Sequence, residues 1–308
     1  MGRYALRRLL QMIPVFFGTT FLLYALMFAL PGNPVGALTS GKPKNPAYIA
    51  YIIDQFHIND PFIVQYFKYL QGIFTGDFGK TFNGVPVIDI FTQRWPVTIQ
   101  LSVVAFTFEI VIGIALGIWA ALRKNKVVDH SSLALTLVLI AAPVFVLGYV
   151  LQWVIGVKLG WVAPAGIQDG FPKSYLLPGF VLAASSLAFV LRLTRQSLLE
   201  AFGSDYVRTA RAKGLPATTV MRKYSLRNSL IPVVTFLGAD FATLMGGAVI
   251  TEGIFNIPGI GQQLYQSIRL RESVVVVGIV TVLIIVYLLF NLIVDILYGI
   301  LDARIRYE

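Results

Sequence analysis

Long uninterrupted runs of apolar residues, separated by shorter polar and basic stretches, dominate the chain. A helix that crosses a bilayer needs about 20 predominantly apolar residues, and six runs meet that length: 9–30, 98–122, 131–156, 177–195, 230–252 and 274–301. Because these runs are continuously apolar, they favour helices over barrel strands, which alternate in character over about 10 residues. The pattern therefore predicts an all-α membrane protein with six transmembrane helices.

The first run resembles a signal peptide, because Arg3, Arg7 and Arg8 precede it. It is too long for a typical signal core, and no clear small-x-small cleavage site follows it. We therefore interpret it as an uncleaved anchor.

The composition excludes several classes of protein. Of the 308 residues, 56% are hydrophobic and only 13% are charged, so the chain is neither disordered nor a soluble domain with a normal charged surface. With no Cys and only His57 and His130, neither thiol chemistry nor a histidine-rich metal site is expected. We predict no metal site and no catalytic residues.

The basic residues indicate how the chain is oriented. Lys and Arg number 25 against 15 Asp and Glu, and most of them fall at the N-terminus, in the 123–130 loop, between spans four and five, and in the tail. Because cytoplasmic loops carry the excess of Lys and Arg, both termini are predicted to be cytoplasmic. Retention of these loops in the cytoplasm also accounts for the net charge of +10. The expected partner is therefore membrane lipid, and no nucleic acid is expected to bind.

The spans divide the chain into three predicted parts: residues 1–30 with the first span, an external subdomain at 31–97, and a core of spans two to six at 98–308. In the external part, Asp60 and Pro61 are typical of a helix N-cap and first residue. Apolar residues follow at helical spacing: Phe62, Ile63, Tyr66, Phe67, Leu70, Ile73 and Phe74. This helix either lies on the membrane surface or forms a docking platform for an external partner.

The cytoplasmic loop at 196–229 has the pattern of two short helices. Ser204 or Asp205 can cap the first, while Gly214 suits the left-handed position after its end. A second helix is expected to begin at Thr218 or Thr219 and to run towards Arg227.

One face of the first helix carries the small residues Val207, Ala210 and Gly214, so another backbone can approach closely. Such a helix fits a groove in a second protein. The alternative is a basic loop that rests on anionic lipid headgroups.

These residues also carry a resemblance to a known family. The loop resembles the cytoplasmic loop of permease subunits of ATP-binding-cassette (ABC) importers, in the branch that imports di- and oligopeptides. The residues that carry this resemblance are Tyr206 to Leu215, Leu226 to Leu230 and Pro232. Four other segments resemble further motifs of the B-type subunit of that branch. They are Leu30 to Pro34; Gly76 to Gly79; Glu252 to Phe255 with Pro258, Gly259 and Gly261; and Asp295 with Asp302 to Tyr307. The resemblance covers essentially the whole chain.

The sequence departs from the general importer motif in a few places. Arg208, Thr209 and Ala210 stand where that motif has Glu-Ala-Ala, and Pro232 follows Gly214 by eighteen residues rather than thirteen. The longer form is typical of the peptide branch. Near the tail, Ala303 stands where the branch usually has proline.

The resemblance implies a type I ABC importer permease fold that translocates peptides by alternating access in the cytoplasmic membrane of a prokaryote. Its expected partners are a second permease subunit, two ATPase subunits and an external peptide-binding protein. The chain itself is expected to be no enzyme and to bind no cofactor, since ATP and Mg belong to the ATPases. The implied coupling residues are Asp205, Tyr206, Val207, Arg208, Thr209, Ala210, Arg211, Ala212, Lys213, Gly214, Leu215 and Pro216.

Acidic residues inside apolar runs are candidates for the translocation path, because a charge inserted in lipid costs about 2.5 to 3.5 kcal/mol and normally faces protein or water. Glu109 in span two and Asp240 in span five are expected to attract a peptide's ammonium group, and Glu252 is a third candidate. Asp295, near the cytoplasmic end of span six, is expected to pair with a basic residue. Gly113 and Gly117 are expected to allow close helix packing.

Two alternatives remain open at this point. A proton-coupled secondary transporter would use Glu109 or Asp240 as proton carriers and would need no ATPase. An importer for nickel or glutathione belongs to the same branch of the family.

Overall fold

The computed structural model describes residues 2–28, 46–55, 57, 59–81, 83–270 and 272–301, and most of these residues are helical. The motifs at 30–34 and 302–307, with Ala303, lie outside the described residues. The α-helices are α1 (Gly2–Phe28), α2 (Pro46–Gln55), α3 (Phe62–Phe74), α4 (Val87–Phe108), α5 (Ile114–Leu122), α6 (Val127–Ala141), α7 (Val144–Leu151), α8 (Lys173–Gly203), α9 (Asp205–Ala212), α10 (Ala217–Thr219), α11 (Arg227–Phe255), α12 (Ile260–Arg269) and α13 (Ser273–Leu301).

Three π-helical segments continue α-helices without a break. Glu109–Gly113 joins α4 to α5, Gln152–Lys158 extends α7, and Val220–Leu226 joins α10 to α11. Each junction gives a continuous helical rod that is longer than its α-helical parts, such as the rod from Val87 to Leu122.

The described residues contain five helices that are long and apolar enough to cross a bilayer: Leu6–Leu26, Val87–Leu122, Lys173–Gly203, Ala217–Gly246 and Ser273–Ile296. A sixth candidate is the pair Val127–Ala141 and Val144–Lys158, which is bent by 106°. If this pair counts as one span, the six predicted crossings are all represented.

The prediction of one continuous helix over 131–156 is wrong. The helix stops at Ala141, and Ala142 takes an extended conformation with φ −77° and ψ 122° before Pro143. A proline disfavours the helical conformation of the residue before it, and it has no N–H to donate to the preceding turn. The sharp bend follows from that one residue.

The chain divides into two compact units, residues 1–98 with 258–308 and residues 99–257. In the first unit, aromatic and aliphatic side chains join α1, α3 and α13: Tyr24, Tyr66, Leu70, Ile73 and Val274 form a buried cluster. Tyr66 Oη donates to the Phe17 carbonyl at 2.9 Å, and Tyr69 shares a hydrogen bond with Thr281. Helix α3 is therefore held on one side by two of the apolar helices.

The predicted cap of α3 is wrong. Asp60 does not cap the helix, which begins at Phe62 with Pro61 at the N-cap position. The Asp60 carboxylate instead accepts a hydrogen bond from Lys68 Nζ at 2.7 Å, and this bond lowers the pKa of Asp60. The apolar residues of α3 also divide between two faces, because Ile63, Phe67 and Phe74 are exposed whereas Tyr66, Leu70 and Ile73 are buried.

In the second unit, α8 packs against residues 109–122 of the long helical rod and against α11. Glycines bring the backbones together, as expected for membrane helices. A Cβ placed on Gly117 would lie 2.6 Å from Thr194 Cβ and 2.7 Å from the Leu191 carbonyl oxygen, and one on Gly113 would lie 2.8 Å from Val190 Cγ1. The prediction of close packing at Gly113 and Gly117 is confirmed.

We expect Gly117→Ala to destabilise the protein by about 1 to 3 kcal/mol, the usual cost of overpacking. The added methyl group would meet the α8 backbone, which cannot yield as a side chain can. The measurement is the free energy of unfolding in mixed detergent micelles.

The matched control is Gly18→Ala in α1, where a Cβ would meet no atom within 4 Å. Alanine favours a helix over glycine by about 1 kcal/mol, so this variant should be neutral or more stable. If both variants behave alike, the close approach of α5 to α8 contributes nothing measurable.

Candidate functional site

Helix α9 ends in a Schellman motif, in which two backbone hydrogen bonds close the last turn. Gly214 N–H donates to the Arg211 carbonyl at 2.9 Å, and Leu215 N–H donates to the Ala210 carbonyl at 3.4 Å. Gly214 has φ +75°, a conformation that glycine adopts without a Cβ penalty. The predicted left-handed position of Gly214 is confirmed, and it fixes the direction in which the chain leaves α9.

The small face of α9 does not point outwards, so this part of the sequence interpretation is corrected. Val207 and Ala210 are buried against Val220 of the following π-helical segment, with Leu215 and Tyr224 packed around them. The small residues thus let the chain's own next helix approach α9. Ser204 stands at the N-cap position, but its hydroxyl donates to the Ala201 carbonyl at 2.6 Å instead of capping α9.

The opposite face of α9 is exposed and carries the polar coupling candidates. Its members are Asp205, Tyr206, Arg208, Thr209, Arg211, Ala212 and Lys213, with Pro216 exposed just beyond the turn. Arg208 Nη1 lies 3.4 Å from Asp205 Oδ1, but both side chains are almost fully exposed. An exposed ion pair of this kind contributes little to stability, so both groups are available to a partner.

The second helix of the loop is longer than predicted. It begins at Ala217 and runs through the π-helical segment Val220–Leu226 directly into α11. The candidate coupling loop is therefore built on the end of a spanning helix, and α9 is packed against that same helix.

Two of the predicted path acids lie together. Glu109, at the start of the first π-helical segment, is fully buried, and Asp240 of α11 is 8% exposed. Their carboxyl groups are electrostatic neighbours, and Ser186 of α8 donates a hydrogen bond to Asp240 Oδ1 at 3.1 Å. Three helices thus meet at one polar cluster inside the second unit.

Glu252 lies elsewhere on α11. Twelve residues separate it from Asp240, which at about 1.5 Å per residue is roughly 18 Å along the helix. Its side chain is fully buried, and its carbonyl accepts the N–H of Ile257 at 3.0 Å. Glu252 therefore belongs to the end of α11 and not to the Glu109–Asp240 cluster.

An ion pair joins α6 to α8 near the coupling loop. Arg195 donates from Nε to Asp129 Oδ1 at 2.5 Å and from Nη2 to Asp129 Oδ2 at 2.8 Å. The Asn125 backbone N–H also donates to Oδ2, at 2.9 Å. The Asp129 side chain is only 3% exposed and that of Arg195 19%, so this pair is far better shielded than the one on α9.

Sequence reasoning missed three of these polar residues: Ser186, Asp129 and Gln152. Gln152 Nε2 donates to the carbonyls of Pro164 and Ile254, and thereby satisfies the end of α11. A polar residue within an apolar run was the available signal for Ser186 and Gln152. The expected pairing of Asp295 is confirmed, since its Oδ2 lies 3.5 Å from Arg8 Nε.

Apolar helices long enough to span a membrane, a buried acid cluster and an exposed basic helix at the end of one of them are the features expected of a membrane transport subunit. The family comparison makes this specific. The chain matches the model of the binding-protein-dependent transport system inner membrane component over residues 113–307, and that of the N-terminal part of such components over 1–102. The chain belongs to this family, and it is an ABC importer permease.

Relatives of the chain match over its whole length. The dipeptide transport system permease of Alkalihalophilus pseudofirmus is 35% identical, with 99% of both chains covered. The glutathione transport system permease of Salmonella paratyphi A is 34% identical, with both chains fully covered. These relatives are permease subunits and not ATPases.

The fold matches that of a solved importer. The MetNI methionine ABC transporter, in an inward-facing conformation, superposes with a TM-score of 0.57 at 19% identity, covering 70% of this chain and 97% of that one. The predicted type I ABC importer fold is confirmed.

We expect Asp129→Asn to destabilise the protein by about 2 kcal/mol, the contribution typical of a hydrogen bond to a charged group. The double variant Asp129→Arg with Arg195→Asp should recover part of the lost free energy of unfolding. It restores the ion pair in the reversed direction, but not the hydrogen bond from the Asn125 backbone N–H. The measurement is unfolding in mixed micelles.

Asp205→Asn provides the control, because it removes an ion pair that is exposed to solvent. It should leave the unfolding transition unchanged. Equal effects of Asp129→Asn and Asp205→Asn would refute the structural role of the Arg195–Asp129 pair.

Proposed function

We propose that this chain is one of two permease subunits of an importer that carries di- or oligopeptides across the cytoplasmic membrane by alternating access. The observation that carries the proposal is the exposed basic face of α9, mounted on the helix that continues into α11. Two ATPase subunits dock from the cytoplasm, and an external binding protein delivers the peptide. ATP and Mg bind to the ATPases, and this chain binds no cofactor.

The geometry supports a direct route from the ATPases to the spans. Because Val207 and Ala210 of α9 are buried against Val220, a displacement of α9 moves the π-helical segment with it. That segment is continuous with α11, which carries Asp240. The closed pair of ATPases binds the two arrangements of the spans with different affinity. ATP-driven closure therefore shifts the equilibrium towards the arrangement that is bound more tightly.

The substrate class rests on the relatives. The dipeptide permease of Alkalihalophilus pseudofirmus is 35% identical to this chain, and a probable peptide permease of Sinorhizobium fredii is 34% identical. The glutathione permease is also 34% identical. Glutathione is itself a tripeptide, so a short peptide is the common chemistry. Uptake of defined dipeptides, longer peptides and glutathione by proteoliposomes containing the whole importer tests this choice, and uptake of none of them would refute it.

Docking of the ATPases should depend on the exposed face of α9. We expect Arg208→Glu with Lys213→Glu to lower co-purification of the ATPases and ATP-driven uptake by about tenfold, since charge reversal at an interface replaces attraction by repulsion. Ala210 is less suitable for this test, because it is buried within the chain.

The matched control is Arg227→Glu, which reverses an exposed charge at the start of α11, outside α9. Co-purification should stay at the wild-type level. If a proton gradient drives uptake without ATPases, and the α9 variant leaves that uptake unchanged, the chain is instead a secondary transporter.

We propose that Glu109 and Asp240 receive the ammonium group of a basic side chain of the substrate when the surrounding helices separate. Both carboxyls are buried between α4, α8 and α11 in the present arrangement, so the substrate reaches them only in another state of the cycle. Asp240→Asn should therefore slow uptake of lysine-containing dipeptides more than that of neutral ones.

The control for this comparison is Ser186→Ala, which removes the hydrogen bond to Asp240 but leaves both charges. It should slow the two kinds of peptide equally. An equal loss for both peptides in Asp240→Asn and Glu109→Gln would assign the cluster a structural role only.

A further inference from the structure

A large cavity opens beside the coupling loop, within the unit of residues 99–257. Its volume is about 1130 Å³, and it lies between the ends of α5 and α8 and the π-helical segment Val220–Leu226. Among its lining residues, only Arg211 belongs to the coupling candidates on the exposed face of α9. Its walls are mostly apolar and include Leu122, Phe202, Val220 and Met221.

Three cationic side chains line this cavity, and no acidic side chain does. They are Lys124 after α5, Arg211 of α9 and Arg222 of the π-helical segment. All three are exposed, and none forms an ion pair with any residue that the structure describes. Three uncompensated positive charges at one cavity are complementary to a multiply charged anionic group, such as a phosphate.

A buried hydroxyl supplies a second, independent sign of a ligand. Ser225 lines the cavity and is fully buried, yet its Oγ has no hydrogen-bond partner among the described residues. A buried polar group without a partner costs free energy, and a phosphate oxygen in the cavity would satisfy it. A π-helical segment, frequent at functional sites, positions Ser225 and Arg222 together.

The cavity lies where a span leaves the hydrocarbon. Lys124 is two residues beyond the end of α5, and Trp119 and Leu122 on that helix are 52% and 54% exposed. Exposed tryptophan is typical of the membrane interface. Apolar surface on α5 thus leads directly to the cationic cavity, as a ligand with a charged head and apolar chains requires.

We propose that this cavity binds an anionic phospholipid of the cytoplasmic leaflet, with its phosphate among Lys124, Arg211, Arg222 and Ser225 and its acyl chains along α5. The lipid then links the α5–α6 loop, the coupling helix α9 and the base of α11. Its presence fixes the position of α9 from which the ATPases act.

The test measures how much phosphatidylglycerol the full chain, purified with its accompanying subunits, retains from an equimolar mixture with phosphatidylcholine. Native mass spectrometry counts the bound lipids. Lys124→Gln with Arg222→Gln should lower retention of phosphatidylglycerol about 25-fold, since each cation near a charged headgroup contributes about a factor of five. The matched control is Lys126→Gln with Arg227→Gln, two exposed basic residues outside the cavity, which should retain the lipid.

Ser225→Ala separates a lost ligand from a lost fold. Without lipid this variant should be at least as stable as the wild type, because it removes a buried hydroxyl that has no hydrogen-bond partner among the described residues. Added short-chain phosphatidylglycerol should raise the melting temperature of the wild type more than that of the variant.

Three results would overturn the proposal. The first is equal retention of phosphatidylglycerol by the cavity variant and its control. The second is equal stabilisation by inorganic phosphate, which would mean that the apolar walls bind no acyl chain. The third is loss of the lipid whenever the ATPases are bound, which would assign the cavity to the ATPase interface.

Discussion

Close contact between α8 and residues 109–122 of the long helical rod is the interaction on which the second unit depends. In lipid the hydrophobic effect does not drive helices together, so association relies on tight packing and on polar contacts between helices. Gly113 and Gly117 supply the packing by letting Val190, Thr194 and the Leu191 carbonyl approach the rod. The polar contacts of α8 follow along the same helix, with Ser186 at the acid cluster and Arg195 at Asp129.

Each of these polar contacts has a different consequence. The Arg195–Asp129 pair is bidentate and shielded, so it fixes the end of α8 from which the coupling loop starts. The cluster of Glu109, Asp240 and Ser186 lies deeper and retains buried carboxylate oxygens without a hydrogen bond from the described residues. A cluster that is only partly satisfied favours separation of its helices more than a satisfied one does. The same helix is therefore held firmly near the end that leads to the candidate coupling loop and less firmly near its middle, at Ser186.

The sequence predicts the number and place of the spans well, because run length and apolarity decide whether a segment can cross a bilayer. It predicts the break at Pro143 poorly, since a proline within an apolar run is tolerated elsewhere, as at Pro178 and Pro232. The π-helical segments leave no mark in the hydrophobic pattern. The small face of α9 illustrates a further limit: small residues show that some backbone approaches closely, but not whether it belongs to the same chain.

Burial of that small face changes how helix α9 would act in the coupling that we propose. A helix that docked through Val207 and Ala210 would have to detach from its own chain, and its motion would then reach α11 only through a turn. With those residues packed on Val220, α9 and the base of α11 form one body, closed by the Schellman motif at Gly214. In that proposal the exposed residues on the opposite face recognise the ATPase, while the buried ones transmit the displacement. In the coupling that we propose, specificity for the ATPase and transmission to the spans therefore reside on opposite faces of the same eight-residue helix.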